Sequence, residues 1–125
     1  MTSERRLQRV LIANRGEIAI RVATAAAGLG IESVAVYPAV DASSLHVRAA
    51  STSTPLGGAA DGIAAYLDGA ALVAAALANG CDSVHPGYGF LSESAAFAQQ
   101  CTDAGLVFVG PSPATLALFG DKVQA

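Results

Sequence analysis

The chain has no tryptophan, a single methionine and two cysteines, Cys81 and Cys101. Neither cysteine has a CxxC neighbour, and His46 and His85 stand at no zinc-ligand spacing. Zinc-finger and disulfide-framework readings therefore have no support, and the two thiols read as small buried apolar residues in a reducing compartment. Charge is also scarce: Asp, Glu, Lys and Arg make up 14% of the chain, and the net charge is -3. The basic residues form no run beyond Arg5 and Arg6. Nucleic acid and an anionic membrane surface both call for clustered basic residues, so neither is expected as a partner. No apolar run reaches the roughly 18 to 20 residues that span a bilayer. Met1 to Val10 carries charge but no apolar signal core, so the expected location is the cytoplasm. No Ser/His/Asp set, carboxylate pair or metal-ligating cluster can be picked out. No catalytic residue and no metal ligand are assigned.

What the chain does have is apolar content, 53% of its 125 residues. That suits one compact domain with a sizeable core, and it is the opposite of a disordered composition. There is no internal repeat and no dividing linker. Residues 1–8 read as a tail and residues 9–125 as a single domain.

Short apolar runs alternate with helix-period stretches. Val10 to Ala13 is a continuous apolar run, as expected of a strand buried on both faces. Gly16 opens a helical stretch with Ile18, Val22, Ala25 and Leu29 on one face, and Gly28 or Gly30 stops it. Ser33 to Tyr37 reads as a second strand ended by Pro38. Asp41 to Ala50 reads as a polar turn with one or two helical turns, and Thr52 to Leu56 as a weak third strand. After a Gly- and Ala-rich loop from Gly57 to Tyr66, Asp68 is placed to cap a helix carrying Leu72, Val73, Ala76 and Leu77, stopped by Asn79 and Gly80. Cys81 to His85 is a fourth strand, closed by Pro86. Ser92 is expected to cap a helix carrying Phe97 and Cys101. Leu106 to Val109 is a fifth strand, and Pro113 suits the first position of a further helix through Leu118. Strands alternating with helices imply an α/β domain of Rossmann-like form, with about five parallel strands and helices on both faces.

Three segments lie where such a fold binds ligands or where a charge is left over. Ala13 to Glu17 is a strand-to-helix turn, a place where helix N–H groups attract anions. It is no dinucleotide fingerprint, since Gly16 is its only glycine; the blander reading is a tight turn with Glu17 as a cap. His85 to Glu93 is a Gly-rich loop between a strand and a helix. Gly87 and Gly89 permit positive φ and close backbone approach, with Tyr88 exposed at the crest between them. His85 reads either as a general base or as a hydrogen-bonded strand end, and Glu93 as a residue of the first helical turn, favourable to the dipole. Gly120-Asp121-Lys122 places a lysine where it can act as a point charge on a phosphate.

Taken together and in this order, the segments resemble biotin carboxylases. Val10 to Ala19, reading VLIANRGEIA, is similar to the opening of that family. His85 to Glu93 matches its HPGYGFLSE segment, and Phe108 to Pro111 and Gly120 to Val123 match the stretch before its ATP-grasp domain. The resemblance implies a pre-ATP-grasp domain that forms one wall of a cleft. In that cleft ATP and bicarbonate, with Mg²⁺, carboxylate biotin held on a carrier domain. It implies that Lys122 contacts ATP, and that Tyr88, Gly87, Gly89 and Glu93 lie on the biotin and bicarbonate side. The implied partners are the ATP-grasp domain and the biotin carboxyl carrier and carboxyltransferase parts. The chain stops short of the ATP-grasp machinery, so alone it is expected to be inactive.

Two departures stand out. Ala50 to Thr54 replaces a stretch that often reads ADE, which puts the middle of the fold in question. Thr24 and Gly28 stand where bacterial homodimers of the family carry opposite charges, which puts that dimer contact in question. The alternatives are a pre-ATP-grasp domain of another ligase, disfavoured by the HPGYGFLSE segment, and a non-catalytic binding module. A dehydrogenase would need a fingerprint and a ribose-binding acid that are absent.

Overall fold

Strand β1 (Arg9–Ile12) carries Val10, Leu11 and Ile12, all buried, and occupies the centre of a five-stranded sheet. The computed structural model describes residues 7–56, 62–110 and 114–117. β2 (Glu32–Tyr37) lies on one side of β1, with β3 (Thr52–Pro55) beyond it. β4 (Ser83–His85) lies on the other side, with β5 (Val107–Phe108) beyond. Every pairing is parallel, and Leu11 is in register with both Val34 and Val84. The chain therefore steps outward from β1 to β3 and then returns to the opposite side of β1. This reversal between β1 and β4 opens a crevice at their carboxyl ends, the usual ligand site of open α/β sheets.

Helices cover both faces, as the alternating pattern implied. On one face α3 (Gly69–Ala78) and α4 (Ala95–Asp103) bring Leu72, Ala76, Phe97 and Cys101 against Leu11, Val34 and Val84. On the other, α1 (Gly16–Gly28) sets Ala19 and Ala23 against Ile12. The short α2 (Leu45–Ala49) buries His46. Asp68 caps α3, its side chain accepting from the Ala71 N–H at 3.1 Å. The two cysteines are free and buried, and burial pushes both thiols up to about 11. No helix among the described residues is long and apolar enough to cross a membrane.

Several elements differ from the reading of the sequence. The core face of α1 is Ala19, Ala23 and Ala26, one position away from the bulkier stripe. Alanines let the helix lie close to the sheet. Of the expected stripe, Ile18 and Val22 are half-buried, with Val22 packed beside Ile12, while Ala25 and Leu29 (77% exposed) face outward; Val22, Ala25 and Leu29 line an open apolar groove of about 390 Å³. The fourth helix is capped by Ser94 rather than Ser92, its Oγ accepting from the Phe97 N–H at 3.1 Å. Two successive turns, Ser92 N–H to Gly89 O and Ser94 N–H to Leu91 O, delay the helix, so Glu93 precedes it. Within the stretch expected to be a loop, Gly62–Leu67 is a 3₁₀ helix that buries Tyr66. β3 forms in spite of the altered Ala50 to Thr54 stretch. Its entry is held by Ser33 and Ser51, each hydroxyl accepting from the other's backbone N–H. Thr24 and Gly28 are exposed on α1. Residues 114–117 are helical, whereas Pro113 and Leu118 lie outside the described residues.

The alanine face of α1 sets a volume limit. Ala23→Leu should destabilise the chain by about 1–3 kcal/mol through overpacking. Thr24→Leu, on the exposed side, should stay within roughly 0.5 kcal/mol. Urea unfolding of the two variants checks this, and equal midpoints would show that α1 does not press on the sheet.

Candidate functional site

The turn that follows β1 and the loop that follows β4 meet at the carboxyl edge where the strand order reverses. Ala13 extends the β1–β4 ladder by donating its N–H to His85 O at 2.9 Å. The next residue, Asn14, is only 1% exposed, yet its side chain is fully engaged. Nδ2 donates to Pro86 O at 2.8 Å and to Tyr88 O at 2.9 Å, and Oδ1 accepts the Arg15 N–H at 2.8 Å. Chemistry fixes this orientation, because the two carbonyls can only accept and the Arg15 N–H can only donate.

The loop itself runs through the left-handed region. Gly87 has φ 68°, and a Cβ there would lie 2.7 Å from Asn14 Nδ2 and 2.8 Å from Ile18 Cγ2. Glycine is thus required twice, for conformation and for space. Gly89 has φ 75°, and Phe90 has φ 49° although it carries a side chain. The Phe90 ring packs on Tyr66 with centroids 5.7 Å apart. Between the glycines Tyr88 stands 79% exposed at the crest, as the sequence implied.

His85 is committed to the loop. Its Nδ1 accepts the Gly87 N–H at 3.0 Å, and burial holds its pKa below the usual histidine value. The hydrogen-bonded reading of this residue therefore describes its Nδ1. A cleft of about 370 Å³ opens between the loop and Val109, Gly110, Thr115 and Leu116, with Gly87, Ser92 and Glu93 on its wall. The structure thus brings Gly87 and Glu93 to one cleft, whereas Tyr88 and Gly89 do not line it. Lys122 lies outside the described residues. Glu17 makes no cap bond; exposed on α1, it pairs with Arg21 at 3.4 Å.

A second, buried network supports the same edge. Arg15 Nε and one terminal nitrogen donate to the two oxygens of Asp41 at 3.1 and 3.2 Å. The Tyr66 hydroxyl donates to Asp41 Oδ2 at 2.8 Å, and His46 Nε2 lies 3.1 Å from Val36 O. Burial pushes the Asp41 carboxyl up, but the bonds from Arg15 and Tyr66 outweigh it and hold the group below the usual carboxylate range. Burial and the Asp41 bond raise the Tyr66 phenol. The sequence reading placed Arg15 in the turn and gave it no partner. Asp41 and Tyr66 were not singled out as site residues; the available signals were an acid just past a strand end and a large aromatic closing a small-residue loop. No group of three or more His, Cys, Asp or Glu among the described residues is arranged to hold a metal.

The family described as the N-terminal domain of biotin carboxylase matches residues 6–116. The chain belongs to this family. It is 52% identical over 116 residues to the methylcrotonoyl-CoA carboxylase alpha subunit of Oryza sativa, covering 93% of this chain and 16% of that protein. It is 49% identical over 119 residues to the mitochondrial pyruvate carboxylase of Rattus norvegicus, covering 95% and 10%. Among solved structures, the biotin carboxylase domain of a single-chain bacterial carboxylase superposes with a TM-score of 0.88 at 60% identity. That match covers 94% of this chain and 27% of that one. The chain thus spans a small part of the length of the relatives it matches.

The state of His85 yields a pH dependence. Its folded pKa lies below its ordinary value of 6.5, so its contribution to stability is complete above about 6.5 and is lost as pH falls through the folded value. Unfolding free energy measured from about pH 8 down to about pH 5 should decline below 6.5, and His85→Gln should flatten that decline. An identical slope in the variant would assign the dependence to other groups.

Proposed function

We propose that this domain is one wall of the active-site cleft of an ATP-dependent biotin carboxylase. That ligase carboxylates biotin on a carrier domain, using bicarbonate and ATP, within an acyl-CoA carboxylase or a related enzyme. The observation that carries the reading is the loop from His85 to Glu93. It sits at the reversal point of the sheet, with a Gly-bounded, left-handed crest and an exposed tyrosine, in a chain of the biotin carboxylase family.

The residues of this chain would act by placement. Gly87 lines the cleft and leaves room for Asn14 and Ile18 behind it, Gly89 leaves open space in which a ligand can approach the backbone, and Tyr88 offers its ring and hydroxyl on the biotin and bicarbonate side. Glu93 contributes a carboxylate on the cleft wall. Lys122 would contact ATP as a point charge; its assignment rests on the Gly120-Asp121-Lys122 segment. Biotin, when presented by its carrier, supplies the ureido nitrogen that is carboxylated. We assign the metal and most phosphate contacts to an ATP-grasp domain. The relatives are named for pyruvate and for methylcrotonoyl-CoA, yet both share this domain. We therefore place the choice of acceptor in the carboxyltransferase part.

The reading is tested in the whole protein with variants of confirmed melting temperature. Lys122→Ala should raise the KM for ATP by about 10- to 150-fold, the loss of one charge-assisted hydrogen bond. Tyr88→Ala should impair biotin carboxylation more than bicarbonate-dependent ATP cleavage without biotin. Wild-type kinetics in both variants would remove the domain from the cleft. The isolated chain should release no ADP above a buffer blank when given ATP, bicarbonate and biotin. Turnover that survives further purification would place the chemistry within the chain itself.

A further inference from the structure

We propose that Asn14 is a positioning residue for the loop, fixing through its side-chain amide the height and direction at which Tyr88 meets the cleft. The inference rests on the reading that this loop faces biotin. It goes beyond that reading by assigning control of the loop to a residue outside it and 74 positions away in the chain.

Gly87, Gly89 and Phe90 are all left-handed, and the last of these is strained. Such a segment keeps one shape only when its surroundings over-determine it. The carbonyls of Pro86 and Tyr88 point to the same side, and one amide group takes both. Those two carbonyls belong to the Pro86–Gly87 and Tyr88–Gly89 peptides, so the pair of bonds sets the planes that flank the Gly87–Tyr88 pair. The Tyr88 side chain leaves the main chain at one of these held residues.

The anchor must itself be immobile, and Asn14 follows directly on central β1, next to buried Ala13. Its third bond, from the Arg15 N–H to Oδ1, stops the amide from rotating. The site therefore demands two donors on one side and an acceptor on the other, within the length of an asparagine. Aspartate has the same shape but sets an oxygen against two carbonyl oxygens. Asn14 touches no reacting atom in this scheme and acts only through the loop.

The test uses the whole protein with free biotin as the acceptor, and compares Asn14→Asp and Asn14→Ala with Tyr88→Ala. Both bonds to the loop are lost in Asn14→Ala and in Asn14→Asp with its carboxyl ionised, so the KM for biotin should rise about tenfold or more. The KM for ATP in cleavage without biotin should stay within about twofold, since the loop alone is disturbed. Backbone amides from 87 to 89 should exchange with deuterium faster than in the parent protein. A buried carboxyl facing carbonyls is driven toward its neutral form, which regains one donor. The biotin KM of Asn14→Asp should accordingly fall toward wild type between about pH 8 and about pH 6, and that of Asn14→Ala should not. A merely structural role would lower kcat for both half-reactions together and would give no KM split and no such pH profile. An unchanged biotin KM in both Asn14 variants, with Tyr88→Ala impaired, would overturn the inference. If Tyr88→Ala itself left the biotin KM unchanged, the reading of the loop would fail instead, and the exchange rates alone would decide whether Asn14 anchors it. Should Asn14→Asp not fold, Asn14→Ala carries the same KM and exchange measurements.

Discussion

A strand paired on both edges and covered on both faces cannot shift without breaking two ladders and two packing layers together. β1 is that strand here. Leu11 and Ile12 face opposite cores, while β2 and β4 hold the edges. Whatever extends from the carboxyl end of β1 inherits its immobility, and both the Asn14 anchor and Arg15 do so. The reversal of strand order beside β1 then leaves room for the loop after β4 to stand over the crevice. The position of the candidate site follows from where the most constrained strand ends.

The Arg15–Asp41–Tyr66 network is a second consequence of that geometry. A carboxylate as buried as Asp41 is tolerated only with strong partners, and it has a two-point contact from Arg15 and a hydroxyl from Tyr66. Tyr66 in turn packs against Phe90, so the far end of the Gly-rich loop rests on the same network. The loop is thus held at one end by the amide of Asn14 and at the other by an aromatic contact. Two of its supports, Asn14 and Arg15, are consecutive residues.

The sheet was legible in the sequence because strands buried on both faces must be apolar throughout. Val10 to Ala13 and Ser33 to Tyr37 show this, and Asp68 and Asn79-Gly80 bounded α3 correctly. The core face of α1 was not legible, because a rule favouring large apolar residues overlooks a helix that packs closely through alanines. Ser92 and Ser94 are chemically equal caps, and only the turns closed at Gly89 O and Leu91 O select the second. The left-handed conformation of Gly87 and Gly89 and the exposure of Tyr88 were readable from local chemistry. The partners of Asn14 and Arg15 were not. They lie 72 and 26 residues away, and no local pattern carries that information.

The left-handed loop has one more consequence. Fixing a residue's backbone costs about 1–2 kcal/mol in conformational entropy, and in this loop that cost falls during folding. A ligand reaching the crest therefore meets a preorganised surface and has no disordered segment to freeze. On the proposed reading, recognition at the crest would use shape already present rather than induced fit.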